Sequence, residues 1–261
     1  MASLKMLKEN TTFAKTTTPP SPHIQRKLEK QAYFERQWLL QPEKYHTHSK
    51  AVEKIRIQRS ISILKKNVPN LEQLKVFEIG CGTAPLGIWL HHLGSKVHLA
   101  DIAQNALKRL PYDEKILLLH ESLPHTKRED HAYDLVICAD VIAHLDFKDF
   151  RVSLSELNRV LEPEGKLLIS TPLDIDSVDA LERFMALVET EFVIDHLLLS
   201  YHSFFIRLLK WIKKVPFSKH ICSLMERSVL LNKALEYIAK FLWNRDAVSH
   251  AIILAHKKPL F

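Results

Sequence analysis

From residue 75 onward, short apolar runs alternate with stretches of helical periodicity, and this alternation leaves the chain few possible folds. Runs such as KVFEIG (75–80) and YDLVICAD (133–140) are apolar almost throughout rather than at every second position. Strands of this kind are typical of parallel sheets that are covered by helices on both faces. The sequence therefore predicts an α/β, doubly wound, mostly parallel sheet with seven strands, at 75–80, 96–101, 115–120, 133–140, 165–172, 191–199 and 247–258.

The segments outside this alternation are helical or irregular. Residues 23–40 and 48–66 show helical periodicity, and 201–245 is typical of two or three helices before the last strand. Because that strand follows a long helical excursion, we expect it at an edge of the sheet. The expected units are a disordered tail (1–22), an N-terminal helical cap (23–74), a core (75–200), a helical insert or lid (201–246), and the final strand and tail of the core (247–261).

Charge is distributed unevenly along the chain, whose formal net charge is +7. Residues 1–75 carry a net +9, residues 76–199 a net −10, and residues 200–261 a net +8. Basic ends of this kind favour anionic partners such as a membrane surface or nucleic acid. An equally acceptable interpretation is that the basic ends fold against the acidic middle.

Cysteine content and hydropathy set the expected compartment. The three cysteines, Cys81, Cys138 and Cys222, lack the spacing of a metal site, and free thiols are typical of a reducing cytosol. No window holds 18 uninterrupted apolar residues, and the N-terminus lacks the apolar segment of a secretory signal. We therefore expect a cytoplasmic protein, with peripheral membrane contact as an option.

Three of the five glycines, Gly80, Gly82 and Gly87, lie within VFEIGCGTAPLG (76–87), directly after the first strand. A glycine-rich turn that opens a helix brings backbone N–H groups close to a ligand, because no Cβ blocks the approach. The dinucleotide pattern G-x-G-x-x-G requires a third glycine where this chain has Pro85. The turn therefore indicates a ligand site but disfavours a dinucleotide.

EIGCGTAPLG (78–87) resembles the E/D-x-G-x-G motif of the class I S-adenosylmethionine-dependent methyltransferases. HLADIAQNAL, YDLVICADVIAHL and LNRVLEPEGKLLISTP resemble later segments of that family, in the family's order. The resemblance covers about residues 75–200 and extends distantly to the ubiquinone and menaquinone methyltransferases. It implies a Rossmann-like fold, methyltransferase activity and S-adenosylmethionine as cofactor.

The resemblance also implies which residues contact the cofactor. Asp101 would bind the ribose hydroxyls, Ile102 would pack on the adenine, and Glu78 would support the loop and the methionine end. Asp101 can alternatively cap a helix, and Glu78 can reach water at the sheet end. The full implied set is Glu78, Gly80, Cys81, Gly82, Asp101, Ile102, Glu121, Ser122, Ala139 and Asp140.

His144 is the candidate general base, because it follows the fourth strand where the family's acceptor lies and imidazole titrates near neutrality. The alternative is a histidine that orients its loop. Some quinone methyltransferases carry a cation-binding E-x-x-E-H run at this turn. Here Asp140 opens the run, but Ala143 replaces its second acid, so no metal is expected.

The acceptor should be set by the parts outside the resemblance. Residues 201–215 form a basic amphipathic helical pattern that fits a membrane interface, a lid, or simple packing on the sheet. The chain has no [DN]-P-P-[YF] run and no Pro-Cys pair, which disfavours amino-methylation of DNA or glutamine and cytosine-C5 chemistry. A small acceptor, with a lipophilic one favoured, is the first hypothesis. Structured RNA is the second and a non-catalytic S-adenosylmethionine-binding protein the third.

Overall fold

The computed structural model of the protein describes residues 22–45, 50–111, 113–177, 179–203, 205–206, 219–243 and 248–258. Residues 1–21 of the predicted tail lie outside this set, as do 204 and 207–215 of the predicted basic helix.

The sheet has seven strands in the order β3-β2-β1-β4-β5-β7-β6. The first five pair in parallel, and β7 is antiparallel to both of its neighbours. The predicted mostly parallel sheet is thereby confirmed. The strands are β1 (Lys75–Ile79), β2 (Lys96–Asp101), β3 (Ile116–His120), β4 (Tyr133–Ala139), β5 (Leu161–Pro172), β6 (Phe192–Ser200) and β7 (His250–Lys257).

The expected edge position of the last strand is wrong, since β7 lies between β5 and β6. Its central residues, Ile252, Ile253 and Leu254, are all fully buried. An edge strand exposes one border and often one face, whereas a run that is apolar at consecutive positions requires cover on both faces. β6 takes the edge instead, and most of its residues are only partly buried.

Helices cover both faces of the sheet, as the doubly wound prediction requires. On one face Phe77, Val136 and Leu157 belong to one apolar cluster; on the other, Val76, Leu135 and Leu90 belong to a second. Neighbouring residues of one strand therefore enter different cores. The helices are α1 (Pro22–Leu40), α2 (Ala51–Asn67), α3 (Pro85–Leu93), α4 (Gln104–Leu107), α5 (Phe147–Val160), α6 (Ala180–Val188), α7 (Lys219–Arg227) and α8 (Val229–Trp243).

Some element boundaries differ from the prediction. α4 is a short helix that ends at Leu107. β5 begins at Leu161 rather than 165, because Leu161 already pairs with Tyr133 before the register shifts. A Cβ on Gly165 would lie 2.8 Å from Cγ of Leu161, so this irregular stretch needs a glycine.

The N-terminal helices are attached to the rest of the structure by polar contacts. Glu35 of α1 accepts hydrogen bonds from the backbone N–H groups of Gln104 (2.7 Å) and Asn105 (3.0 Å), which caps α4. Arg59 of α2 forms a two-point ion pair with Glu236 of α8, at 2.6 and 2.8 Å. These contacts fix α1 and α2 over the carboxyl ends of the strands. No helix in the described part of the chain is long and apolar enough to cross a bilayer.

Candidate functional site

The loop after β1 has an unusual backbone that only small residues permit. Gly80 and Gly82 have φ values of +66° and +54°, in the left-handed region that favours glycine. A Cβ on Gly80 would lie 2.2 Å from Cγ2 of Val141, so no other residue fits without rearrangement. The first two glycines of the motif therefore allow a tight turn and close contact with the segment after β4.

The third glycine serves a different purpose, which is the approach of α3 to the sheet. A Cβ on Gly87 would lie 2.5 Å from both Oε2 of Glu78 and Cδ2 of Leu99. The backbone N–H of Gly87 donates to that Glu78 oxygen at 2.7 Å. Burial raises the pKa of Glu78 to about 8, with the Gly87 hydrogen bond opposing this shift and Asp101 adding to it. Glu78 therefore supports the junction between the glycine loop and α3.

We expect Gly87→Ala to lower the free energy of unfolding by about 2 kcal/mol, because overpacking a rigid contact typically destabilises by that amount. Urea unfolding of the purified variant measures this loss. As a control, the same change in a Leu99→Ala background should cause a smaller additional loss, since one of the two clashing groups is then absent. Equal losses in both backgrounds would contradict the packing explanation.

Asp101, at the end of β2, is buried and connects two backbone segments. Its carboxylate accepts hydrogen bonds from the N–H groups of Gly82 (2.9 Å) and Ala103 (2.8 Å). Burial raises the pKa of Asp101, and these two hydrogen bonds oppose the shift. Glu35 caps α4, so Asp101 does not serve as the helix cap that the sequence offered as an alternative. A carboxylate has about four acceptor positions, so capacity remains for a ligand.

A cavity of about 360 Å³ opens at the carboxyl ends of β1, β2 and β4. This is the position at which open α/β sheets bind ligands. Each residue predicted as a cofactor contact or catalytic group lines this one cavity, although the residues come from widely separated parts of the sequence. They are Glu78, Gly80, Cys81, Gly82, Asp101, Ile102, Glu121, Ser122, Ala139, Asp140 and His144.

Sequence reasoning missed the roof of the cavity, which α1 and α2 provide. Trp38 is 3% exposed, stacks on Tyr45 at a centroid distance of 5.0 Å, and would lie 3.4 Å from a Cβ on Gly82. Phe34 and Arg56 line the cavity from the same side. The only available signal was the amphipathic pattern of the two helices, which does not say what their apolar faces cover.

Asp140, which directly follows β4, is held by three polar neighbours at the cavity. It forms an ion pair with Arg56, which also pairs with Glu53. Nε2 of His250 lies 2.7 Å from Oδ1 of Asp140, and the Ser170 hydroxyl donates to the same oxygen at 3.0 Å. Burial lowers the pKa of His250 to about 3, with Arg56 adding to the shift, so this imidazole is neutral and donates to Asp140. The contacts fix the position of Asp140, and the positive charge of Arg56 is shared between Asp140 and Glu53.

His144 ends a short 3₁₀ helix after β4 and packs edge-on against Phe34, with ring centroids 5.1 Å apart. Burial lowers its pKa, and the charge of Lys30 adds to this effect. The ring is therefore neutral at pH 7 and able to accept a proton. Among the residues the structure describes, no group of three or more His, Cys, Asp or Glu side chains is arranged to hold a metal ion.

Residues 77–169 match the family model of a methyltransferase domain. The chain is 29% identical over 124 residues to the ubiquinone biosynthesis O-methyltransferase of Rickettsia prowazekii, an alignment covering 46% of this chain and 48% of that protein. The chain spans about half the length of the curated relatives it matches.

Solved structures share the fold at low sequence identity. A putative sarcosine dimethylglycine methyltransferase from Galdieria sulphuraria superposes with a TM-score of 0.53 at 18% identity, covering 79% of this chain and 86% of that one. Haemonchus contortus phosphoethanolamine N-methyltransferase 2, solved with S-adenosyl-L-methionine, gives 0.52 at 19% identity, covering 77% and 53%. The Rossmann-like fold predicted from the sequence is confirmed.

Proposed function

We propose that the chain, whose residues 77–169 match a methyltransferase-domain model, is a class I S-adenosylmethionine-dependent methyltransferase that transfers a methyl group to a small acceptor with an apolar body. The observation that carries the proposal is the cavity at the carboxyl ends of the strands, which has the glycine loop and Asp101 at one end and His144 beside apolar side chains at the other.

The cofactor end of the cavity fits the proposed ligand in its chemistry. A carboxylate at a strand end suits two vicinal ribose hydroxyls, and the Asp101 oxygens each already accept one backbone hydrogen bond, which fixes their position. The glycine loop leaves room that a Cβ at Gly80 would occupy. Glu78 adds a second buried acid that suits the positive end of the ligand. When bound, S-adenosylmethionine supplies an electrophilic methyl group on a sulfonium centre.

The acceptor end is formed by apolar and aromatic side chains from distant elements. Phe34, Leu145 and Pro172 line the cavity near His144. Such walls favour an acceptor that is apolar near its reactive atom. Holding acceptor and methyl donor in line within a closed cavity supplies much of the expected acceleration.

His144 is the group we propose as general base for an O–H or N–H acceptor. Its imidazole is neutral at pH 7 because burial and Lys30 lower its pKa. Asp140 is the less suitable base, since its carboxylate is already engaged by Arg56, His250 and Ser170. In this scheme Asp140 orders the loop on which His144 stands.

We expect His144→Asn to lower kcat about 100-fold while the dissociation constant for S-adenosylmethionine stays within about twofold, since general base catalysis contributes at least this much. The matched control is His92→Asn, an exposed histidine outside the cavity that should leave kcat unchanged. An unaltered kcat for His144→Asn would show that His144 is not a general base. Its role would then be to orient the loop.

The proposed function is tested by S-adenosylhomocysteine formation in separate fractions of a cell extract. Product formed with the organic-soluble fraction supports a lipophilic acceptor. Product formed only with the RNA fraction, in a salt-sensitive manner, would replace the acceptor with structured RNA. Binding of S-adenosylmethionine without product in any fraction would indicate a non-catalytic binding protein.

A further inference from the structure

α8 presents a broad apolar face to solvent. Leu230, Tyr237 and Phe241 are 83%, 76% and 83% exposed, and spacings of seven and four residues place them on one side of the helix. Ile238 and Leu242 extend this face, and about half of each side chain is exposed. Large apolar side chains grouped in this way mark an interaction site rather than ordinary surface.

The exposed charges that border this face of α8 are all positive. Lys233 and Lys240 are exposed and lie seven residues apart, along one border of the apolar face. The single acid in the helix sequence, Glu236, is 5% exposed and is bound to Arg59. The solvent side of α8 is therefore apolar with a basic border and no carboxylate.

The helix is fixed in this orientation, because its polar side is the one that is buried. The Asn232 side-chain amide donates to the carbonyls of Met225 and Ser228, both at 2.8 Å, and Asn232 is fully buried. Turning the apolar face toward the core would break these bonds and the Arg59–Glu236 pair. The fold therefore directs the apolar face outward.

We propose that α8 is a docking surface for an anionic lipid bilayer. Tyr237, Phe241 and Leu230 would enter the interface, while Lys233 and Lys240 contact lipid phosphates as their methylene stems cover the border of the apolar face. An apolar face with a cationic border matches a negatively charged membrane surface, whereas the phosphate backbone of RNA would engage the lysines and leave the aliphatic side chains of the face in water. Residues 207–218, which precede α7, add four basic residues and no acid to the sequence.

The surface is separate from the cavity, since none of these α8 residues lines it. α2 lies between the two, with Arg56 facing the cavity and Arg59 bound to α8. The proposal therefore does not depend on methyl transfer, and it would place the cavity about two helix diameters from a membrane.

Sedimentation of the full chain with vesicles tests the proposal. We expect wild-type protein to bind vesicles of equimolar phosphatidylcholine and phosphatidylglycerol and not vesicles of phosphatidylcholine alone. Lys233→Gln with Lys240→Gln should lower the partition coefficient roughly thirtyfold, because each basic residue near an anionic surface contributes about a factor of five. The triple variant Leu230→Ser, Tyr237→Ser, Phe241→Ser should abolish binding.

The matched control removes exposed leucines from another helix. Leu39 and Leu40 of α1 are 63% and 59% exposed, and Leu39→Ser with Leu40→Ser should bind vesicles like the wild type. Unchanged thermal unfolding and S-adenosylhomocysteine binding show that each variant is folded.

Three results would overturn the proposal. One is wild-type protein that does not bind anionic vesicles. Another is vesicle binding that survives the triple α8 substitution. The third is a wild-type protein that is dimeric and does not bind vesicles, and that becomes monomeric when the three α8 residues are substituted. This result would assign the face to a second copy of the chain.

Discussion

Asp101→Ala is expected to weaken S-adenosylmethionine binding about a thousandfold. In the proposed complex Asp101 would make two charge-assisted hydrogen bonds to the ribose, each contributing roughly 1.5–3 kcal/mol, and both would be lost with the carboxylate. The substitution also leaves the backbone N–H groups of Gly82 and Ala103 without their acceptor. The loop that holds the ligand is then less ordered, which adds to the loss of affinity.

Calorimetric titration of the purified variant measures this effect, and two further variants separate its causes. Asp101→Asn retains an oxygen that can accept one backbone hydrogen bond, so its affinity should lie between the wild type and Asp101→Ala. Glu164→Ala removes an exposed carboxylate outside the cavity and should leave affinity unchanged. An Asp101→Ala protein that is folded and binds within about tenfold of the wild type would refute the ribose role.

The affinity for S-adenosylmethionine is expected to rise with pH up to about pH 8, by at most about tenfold per pH unit, and then to level off. Burial raises the pKa of Glu78 to about 8, so this side chain is neutral in the free protein below that pH. A bound cation favours the ionised carboxylate, and binding therefore releases a proton. Affinity then gains up to a factor of about ten per pH unit until the carboxylate is already ionised in the free protein.

The raised pKa of Glu78 also makes the free energy of unfolding depend on pH. The pKa of Glu78 lies above its unfolded value of 4.5, so the unfolded chain releases this proton first as pH rises. The contribution of Glu78 to stability is therefore complete below about pH 4.5, decreases as pH rises to about 8, and is constant above that. Asp101, whose pKa is also raised by burial, acts in the same direction.

Glu78→Gln is the control for both effects, because glutamine keeps the shape and the acceptor oxygen for Gly87 but does not titrate. Comparing the two proteins at each pH cancels the titration of the ligand itself. Proton release, measured by calorimetry in buffers of different ionisation enthalpy, should be present in the wild type and reduced in the variant. Identical pH profiles for the two proteins would assign the dependence to another group.

The sheet and the glycine loop at its carboxyl edge could be predicted from the sequence because both depend on local patterns. Apolar runs such as 133–140 indicate buried parallel strands wherever they occur, and glycines at 80 and 82 indicate a turn with positive φ. Asp101 was implied by the family resemblance, which places an acid at the end of the second strand. Residues that share this edge of the sheet are brought together by the topology itself, which explains why the predicted set lines one cavity.

The missing parts depend on packing between elements that are distant in the chain. Nothing local indicates that Trp38 would lie against Gly82, or that Glu35 would cap a helix about 70 residues later. The ion pair between Arg56 and Asp140 likewise joins α2 to the end of β4. The interior position of β7 had a readable signal in its unbroken AIILA run, which its late place in the chain obscured.

A crystal structure with S-adenosylhomocysteine would show directly whether this cavity binds the cofactor. We expect the ribose hydroxyls to lie within hydrogen-bonding distance of the Asp101 carboxylate, with the sulfur on the side of the cavity that His144 lines. A ligand bound outside this cavity, or one that leaves Asp101 without contact, would contradict this expectation.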